Sequence, residues 1–64
     1  MDNYNIWVGK VCLLELFKDG ERLVYTATIK GYDLNTITFT DKYGKLYSYK
    51  SSLVQQITEK EDMR

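Results

Sequence analysis

Asp19-Gly20-Glu21-Arg22-Leu23-Val24-Tyr25-Thr26-Ala27-Thr28-Ile29-Lys30 is the stretch that decides the fold. Asp-Gly is a strong hairpin signal, because both residues tolerate the positive φ that a two-residue turn between antiparallel strands requires. The residues after it alternate. Leu23, Tyr25, Ala27 and Ile29 fall on one face, and Arg22, Thr26, Thr28 and Lys30 on the other, with Val24 the exception. A period of two belongs to a strand with one buried and one wet face.

Working outward from this hairpin, Lys10 to Phe17 reads as the strand that pairs with Glu21 to Lys30. Gly31-Tyr32-Asp33-Leu34-Asn35 is the next punctuation. Thr36 to Thr40 follows, with Ile37 and Phe39 inward and threonines outward. Lys42-Tyr43-Gly44-Lys45 turns the chain into a fourth strand, Lys45 to Tyr49. The segment Ser51 to Ile57 has two readings: a turn and a closing strand, which is favoured, or a short helix capped by Ser52. Turns this regularly spaced predict an all-β chain, a single small five-stranded barrel over residues 6 to 58 with a charged tail from 59 to 64. Its predicted core is Val11, Leu13, Leu23, Ala27, Ile29, Ile37, Phe39, Leu46, Leu53 and Ile57. Proline is absent, so the turns rely on Gly, Asp and Asn.

Sixty-four residues make one domain with a thin stability margin. Cys12 is the only cysteine, so an internal disulfide is excluded, and with no histidine and no second thiol a tetrahedral zinc site is not expected. Oligomerisation remains a way to add buried area. Within Val11-Cys12-Leu13-Leu14, Cys12 reads as a buried structural thiol. A lone reduced cysteine suits an intracellular compartment. No signal peptide or apolar run of membrane-spanning length is visible, so a cytoplasmic location is expected.

The chemistry expected is binding rather than catalysis. Without histidine no Ser-His or Cys-His pair can be built. The glycines form no phosphate loop, and Asp19, Asp33 and Asp41 read as turn-capping residues. No cofactor, metal or small-molecule substrate is expected. The formal net charge is +0. Acidic residues gather at the ends, leaving a mildly basic body in which Lys10, Lys18, Arg22, Lys30, Lys42, Lys45 and Lys50 outnumber Glu15, Asp19, Glu21, Asp33 and Asp41. Six tyrosines, two phenylalanines and Trp7 complete the signal. Tyr32, Tyr43, Tyr47 and Tyr49 alternate with lysines around the turns, a pattern that suits unstacked bases. The plainer reading of the same residues is half-buried strand tyrosines beside snorkelling lysines.

From Gly9 to Ile57 the chain resembles the Sm-like superfamily, including its bacterial Hfq-like branch. The resemblance lies in the Asp19-Gly20 hairpin, the long strand ending Ile29-Lys30-Gly31-Tyr32-Asp33, the strand through Ile37 and Phe39, and Tyr49-Lys50 before Leu53-Val54-x-x-Ile57. Ser51 stands where that branch usually has histidine, and Ala27 where it usually has glycine. The resemblance implies an SH3-like barrel that assembles as a ring or smaller homo-oligomer. It implies binding of single-stranded RNA at Leu34, Asn35, Tyr49 and Lys50, to which the tyrosine–lysine pattern adds Tyr32. The same stretch is similar to Tudor domains in Trp7-Val8-Gly9, Tyr25-Thr26-Ala27-Thr28-Ile29 and Phe39-Thr40-Asp41-Lys42-Tyr43-Gly44. That similarity implies a protein-interaction module that binds a peptide through Phe17, Tyr25, Phe39 and Tyr43. A structural adaptor, such as an accessory protein of a phage or mobile element, is a third expectation.

Overall fold

A computed structural model describes residues 4 to 60. Five antiparallel strands form one sheet in the order β4-β3-β2-β1-β5. They are β1 (Val11–Lys18), β2 (Glu21–Tyr32), β3 (Thr36–Thr40), β4 (Leu46–Lys50) and β5 (Val54–Glu59). A 3-10 turn at Tyr4–Trp7 precedes β1, and a second at Ser51–Leu53 joins β4 to β5. The segment after Lys50 is therefore a turn followed by a strand. No helix among the described residues is long and apolar enough to cross a membrane.

The all-β architecture and the five strands match expectation, but a closed barrel does not form. β4 and β5 are the two edges of the sheet and do not pair with each other. The sheet is nonetheless bent, because the turn at Ser51–Leu53 packs against both β1 and β3. The bend has local causes. The β2–β3 register shifts between Ile29 and Gly31, which leaves Lys30 without a partner on β3, and the β1–β5 register shifts between Glu15 and Leu16. Each such bulge adds twist and bends its strand.

The hairpin sets which residues enter the core. Asp19 and Gly20 both have positive φ (53° and 80°), so the turn holds two residues and Lys18 pairs with Glu21. That register puts Leu16 opposite Leu23, Leu14 opposite Tyr25 and Cys12 opposite Ala27. Cross-strand partners share a face, so the even positions of β1 point inward. Cys12, Leu14, Leu16, Ala27, Ile29, Ile37 and Phe39 are fully buried. The expected core placement of Val11 and Leu13 is thus corrected: both lie on the outer face, 42% and 45% exposed. Leu46 is corrected too. It pairs with Thr40 on the outer face and is 62% exposed, while its neighbours Tyr47 and Tyr49 turn inward. Leu23, Leu53 and Ile57 are half-buried against the core, as is Trp7, whereas its neighbours Ile6 and Val8 are exposed.

The tail begins later than expected. Glu59 belongs to β5 and forms an ion pair with Lys10 at 3.4 Å, and the Lys60 amide donates to the Val11 carbonyl at 2.9 Å. Residues 61 to 64 of the expected tail lie outside the described residues.

Two adjacent leucines give a direct test of the β1 phase. Leu14→Ala should lower unfolding free energy by about 2 to 5 kcal/mol, the cost of a core cavity. Leu13→Ala should cost about 1 kcal/mol or less, because its side chain is half in water already. Urea denaturation of both variants measures this, and equal losses would contradict the assigned register.

Candidate nucleic-acid interface

The site is built where β2 ends and β4 ends, on the same side of the sheet. Asp33 organises the first of the two loops there. Its Oδ1 accepts the backbone N–H groups of Asn35 and Thr36, each at 2.8 Å. Those two amides, Thr36 first, hold the Asp33 carboxyl below its ordinary range. Its own N–H donates to the Thr36 carbonyl at 2.9 Å, closing the turn. Asp33 is therefore a turn-forming residue, as its sequence position indicates.

Ser51 ties the second loop to the first. Its Oγ donates to the Asp33 carbonyl at 2.6 Å, and its backbone N–H donates to the Asn35 carbonyl at 3.0 Å. These bonds bring Tyr32, Leu34, Asn35 and Lys50 to one rim. Leu34 is 68% exposed, and the Asn35 and Lys50 side chains are in solvent. Tyr32 packs on Tyr4, with ring centroids 4.7 Å apart and planes tilted by 55°. Tyr4, Asn5, Tyr32, Asp33 and Leu34 line an open groove of 310 Å³. Burial and the neighbouring Tyr4 raise the Tyr32 hydroxyl above its ordinary pKa. Among the described residues Lys50 has no ion-pair partner, so its charge is available to an anion.

Tyr49 stands apart from the other four. It lies on the inner face opposite Ile37, and its hydroxyl meets that of Tyr25 at 2.9 Å. It does contribute one wall to a second groove of 420 Å³, which runs from Lys50 past Ser48 and Leu53 to Lys18 and Asp19 at the β1–β2 turn. Two lysines thus flank a partly aromatic channel next to the loop rim.

The residues named for peptide recognition do not converge. Phe17 is on the outer face beside Arg22, and Tyr43 is 82% exposed at the β3–β4 turn. Tyr25 touches Phe39 at 5.0 Å between centroids, but Phe39 is fully buried and offers no face to a ligand. Tyr25, Phe39, Tyr47 and Tyr49 instead form one aromatic cluster that fills the concave side, with Tyr47 stacked on Phe39 at 5.5 Å. Asp41 orders the adjacent turn by accepting the N–H groups of Tyr43 and Lys45, each at 2.9 Å. Lys42 and Lys45 lie over the rings of Tyr43 and Tyr47, at 5.3 and 5.5 Å.

Tyr4 and Ser51 are the contributors that sequence reasoning missed. Ser51 reads from the sequence as part of a turn and as the position where the Hfq-like branch usually has histidine, with no link to Asp33 or Asn35, and no spacing rule connects Tyr4 with Tyr32. Cys12 is buried as expected. Burial raises its thiol pKa, and Glu59 adds to this while Lys10 opposes it. Among the described residues no cluster of His, Cys, Asp and Glu could hold a metal ion.

The tyrosine cluster gives a pH prediction. Burial first, then the hydrogen bond that neutral Tyr25 shares with Tyr49, raises the Tyr25 hydroxyl well above its ordinary 10.0. Folding therefore favours neutral Tyr25 and Tyr32, as both pKa values are raised. Their stabilisation is complete below the unfolded value and is lost as pH rises through the folded values. Ultraviolet titration should show these tyrosines ionising late, together with unfolding, and Tyr25→Phe should remove part of that late phase. Ionisation of every tyrosine near 10 without unfolding would contradict the cluster.

Comparison with known proteins returned no matching family model, no matching curated protein and no matching solved structure.

Proposed function

We propose that this chain is a non-catalytic, Sm-like binding module that takes single-stranded RNA as a homo-oligomer. The observation that carries the reading is the pair of Ser51 hydrogen bonds to Asp33 and Asn35, which places Tyr32, Leu34, Asn35 and Lys50 on one rim. Each residue has a plausible chemical part. Tyr32 and Leu34 provide aromatic and apolar surface for an unstacked base. Asn35 offers both an amide donor and an acceptor to a base edge, and Lys50 offers an ammonium to the phosphate. Tyr49 and Lys18 extend the track along the adjoining groove.

The finer fold reading is part of the same proposal. The strand order β4-β3-β2-β1-β5, the bulged β2 and the 3-10 turn leading into β5 support an SH3-like, Sm-like sheet. Burial of Phe39 counts against the peptide-binding alternative through Phe17, Tyr25, Phe39 and Tyr43. A neutral chain gains little from bulk charge, so affinity would depend on these few contacts and respond modestly to salt.

Fluorescence anisotropy with a labelled single-stranded RNA oligonucleotide at several salt concentrations tests the proposal. Lys50→Ala should weaken binding and reduce the log–log salt slope by about 0.7, one phosphate contact on a single strand. The fold, followed by circular dichroism, should be unchanged. Equal affinity in both proteins would remove the site.

A further inference from the structure

Among the described residues, no strand covers one edge of the first half of β2. β1 lies along one side of it from Glu21 to Thr28, but β3 begins to pair on the other side only at Thr28. The direction of the backbone groups follows from the ladder. Ile29 exchanges bonds with the segment before β1: Gly9 N–H to Ile29 O at 2.7 Å and Ile29 N–H to Lys10 O at 3.0 Å. Backbone direction alternates along a strand, so odd residues of β2 face β1 and Arg22, Val24 and Thr26 aim their N–H and C=O groups the other way. Water can bond these groups one by one, and another extended backbone can pair the whole row at once.

The three open edges of the sheet differ in what surrounds them. β4 is flanked by Lys45 and Lys50, and β5 is polar at Gln55 and Gln56, ends in Glu59 and Lys60, and pairs irregularly with β1. Lysines, polar residues and bulges discourage edge pairing. The β2 edge has no lysine and no bulge at its centre, where Val24 sits between Thr26 and an Arg22 that is ion-paired with Glu15 of its own chain. Its sequence is Leu23-Val24-Tyr25-Thr26, and Val24 is 56% exposed. An open groove of 270 Å³ separates this edge from Asp41, Lys42 and Tyr43.

We propose that this edge pairs with the same edge of a second copy, antiparallel and centred on Val24. The register is self-complementary. Val24 would face Val24 of the other copy, and Arg22 would face Thr26. All the outward backbone groups of these residues would then be paired. Inward side chains would match as well, Leu23 against Tyr25. The turn between Lys18 and Glu21, in which Lys18 pairs with Asp19 at 3.9 Å, would approach the β3–β4 turn of the other copy, setting Glu21 near Lys42, neither of which has an ion-pair partner among the described residues. A chain whose fully buried apolar core, among the described residues, is Cys12, Leu14, Leu16, Ala27, Ile29, Ile37 and Phe39 gains from such added burial. The inference rests on the self-association part of the reading above and not on its RNA part. The loop rim of Tyr32, Leu34, Asn35 and Lys50 lies at the opposite end of β2 and stays open, and only the Lys18 end of the adjoining groove comes near the interface.

Sedimentation equilibrium of the full chain over a range of concentrations, with circular dichroism as the fold control, tests it. Wild type should approach twice the 7.6 kDa chain mass. Val24→Lys sets two ammonium groups against each other at the symmetry axis and should raise the dimer dissociation constant about tenfold or more. Val24→Pro removes the central outward N–H without removing a β1 bond and should also yield monomer. If the proline variant does not fold, the lysine variant decides, because its side chain starts from an exposed position. Wild type that stays monomeric at its highest soluble concentration overturns the interface, as does an oligomer whose mass Val24→Lys leaves unchanged. RNA affinity per chain, measured in parallel, should survive Val24→Lys. A dimer that binds no RNA would refute the RNA reading and leave this interface standing.

Discussion

The two-residue turn at Asp19-Gly20 is the constraint on which the rest of the molecule depends. Positive φ at both residues admits a single short connection, and that connection makes Lys18 face Glu21. Each later pairing inherits this register. Because odd residues of β2 carry the inward side chains, even residues of β1 must do the same. β5 then docks on β1 with Ile57 opposite Leu14. A slip of one residue would turn Cys12, Leu14 and Leu16 outward and put Glu15 in the core. The polar cost of that arrangement gives the hairpin its specificity.

Much of this was legible in the sequence, and the parts that were not share a physical cause. Strands with one-sided patterns, such as Thr36 to Thr40, could be read directly because only one phase buries apolar side chains. The first strand could not be read that way. Val11, Leu13 and Phe17 on one phase compete with Cys12, Leu14 and Leu16 on the other, and hydropathy does not choose between them. The turn does choose, since pairing Lys18 with Glu21 pairs even with odd throughout. Leu46 misled for a different reason: a leucine next to two tyrosines looks like the core member, yet the tyrosines bury the larger apolar area and keep their hydroxyls bonded to polar neighbours.

The candidate rim shows the same division. Tyr32, Leu34, Asn35 and Lys50 can be named from residue type and turn position, and the structure brings these four together. Tyr49 sits a single residue from Lys50 but on the opposite face, which is the ordinary consequence of strand periodicity. The Ser51 link could not be seen in advance, because it joins a side chain to carbonyls of a loop distant in sequence. Open edges are equally invisible without a strand order. Their position follows from β3 being much shorter than β2, so the early part of β2 has no neighbour on that side.

The pairing of β5 with β1 has a consequence for how the chain reaches this state. β1 to β4 are joined by short turns, and each can find its neighbour as soon as it exists. β5 must return across the whole sheet to meet β1, with Glu59 opposite Cys12. Closing so long a loop is entropically late, and contacts of this kind slow folding. During synthesis the first four strands would emerge with one side of β1 bare, and Leu14 and Leu16 would lack their cover until the segment ending at Glu59 had left the ribosome. Such a bare strand is a brief opportunity for wrong pairing, so the residues most exposed to misassembly during synthesis are among those most deeply buried afterwards.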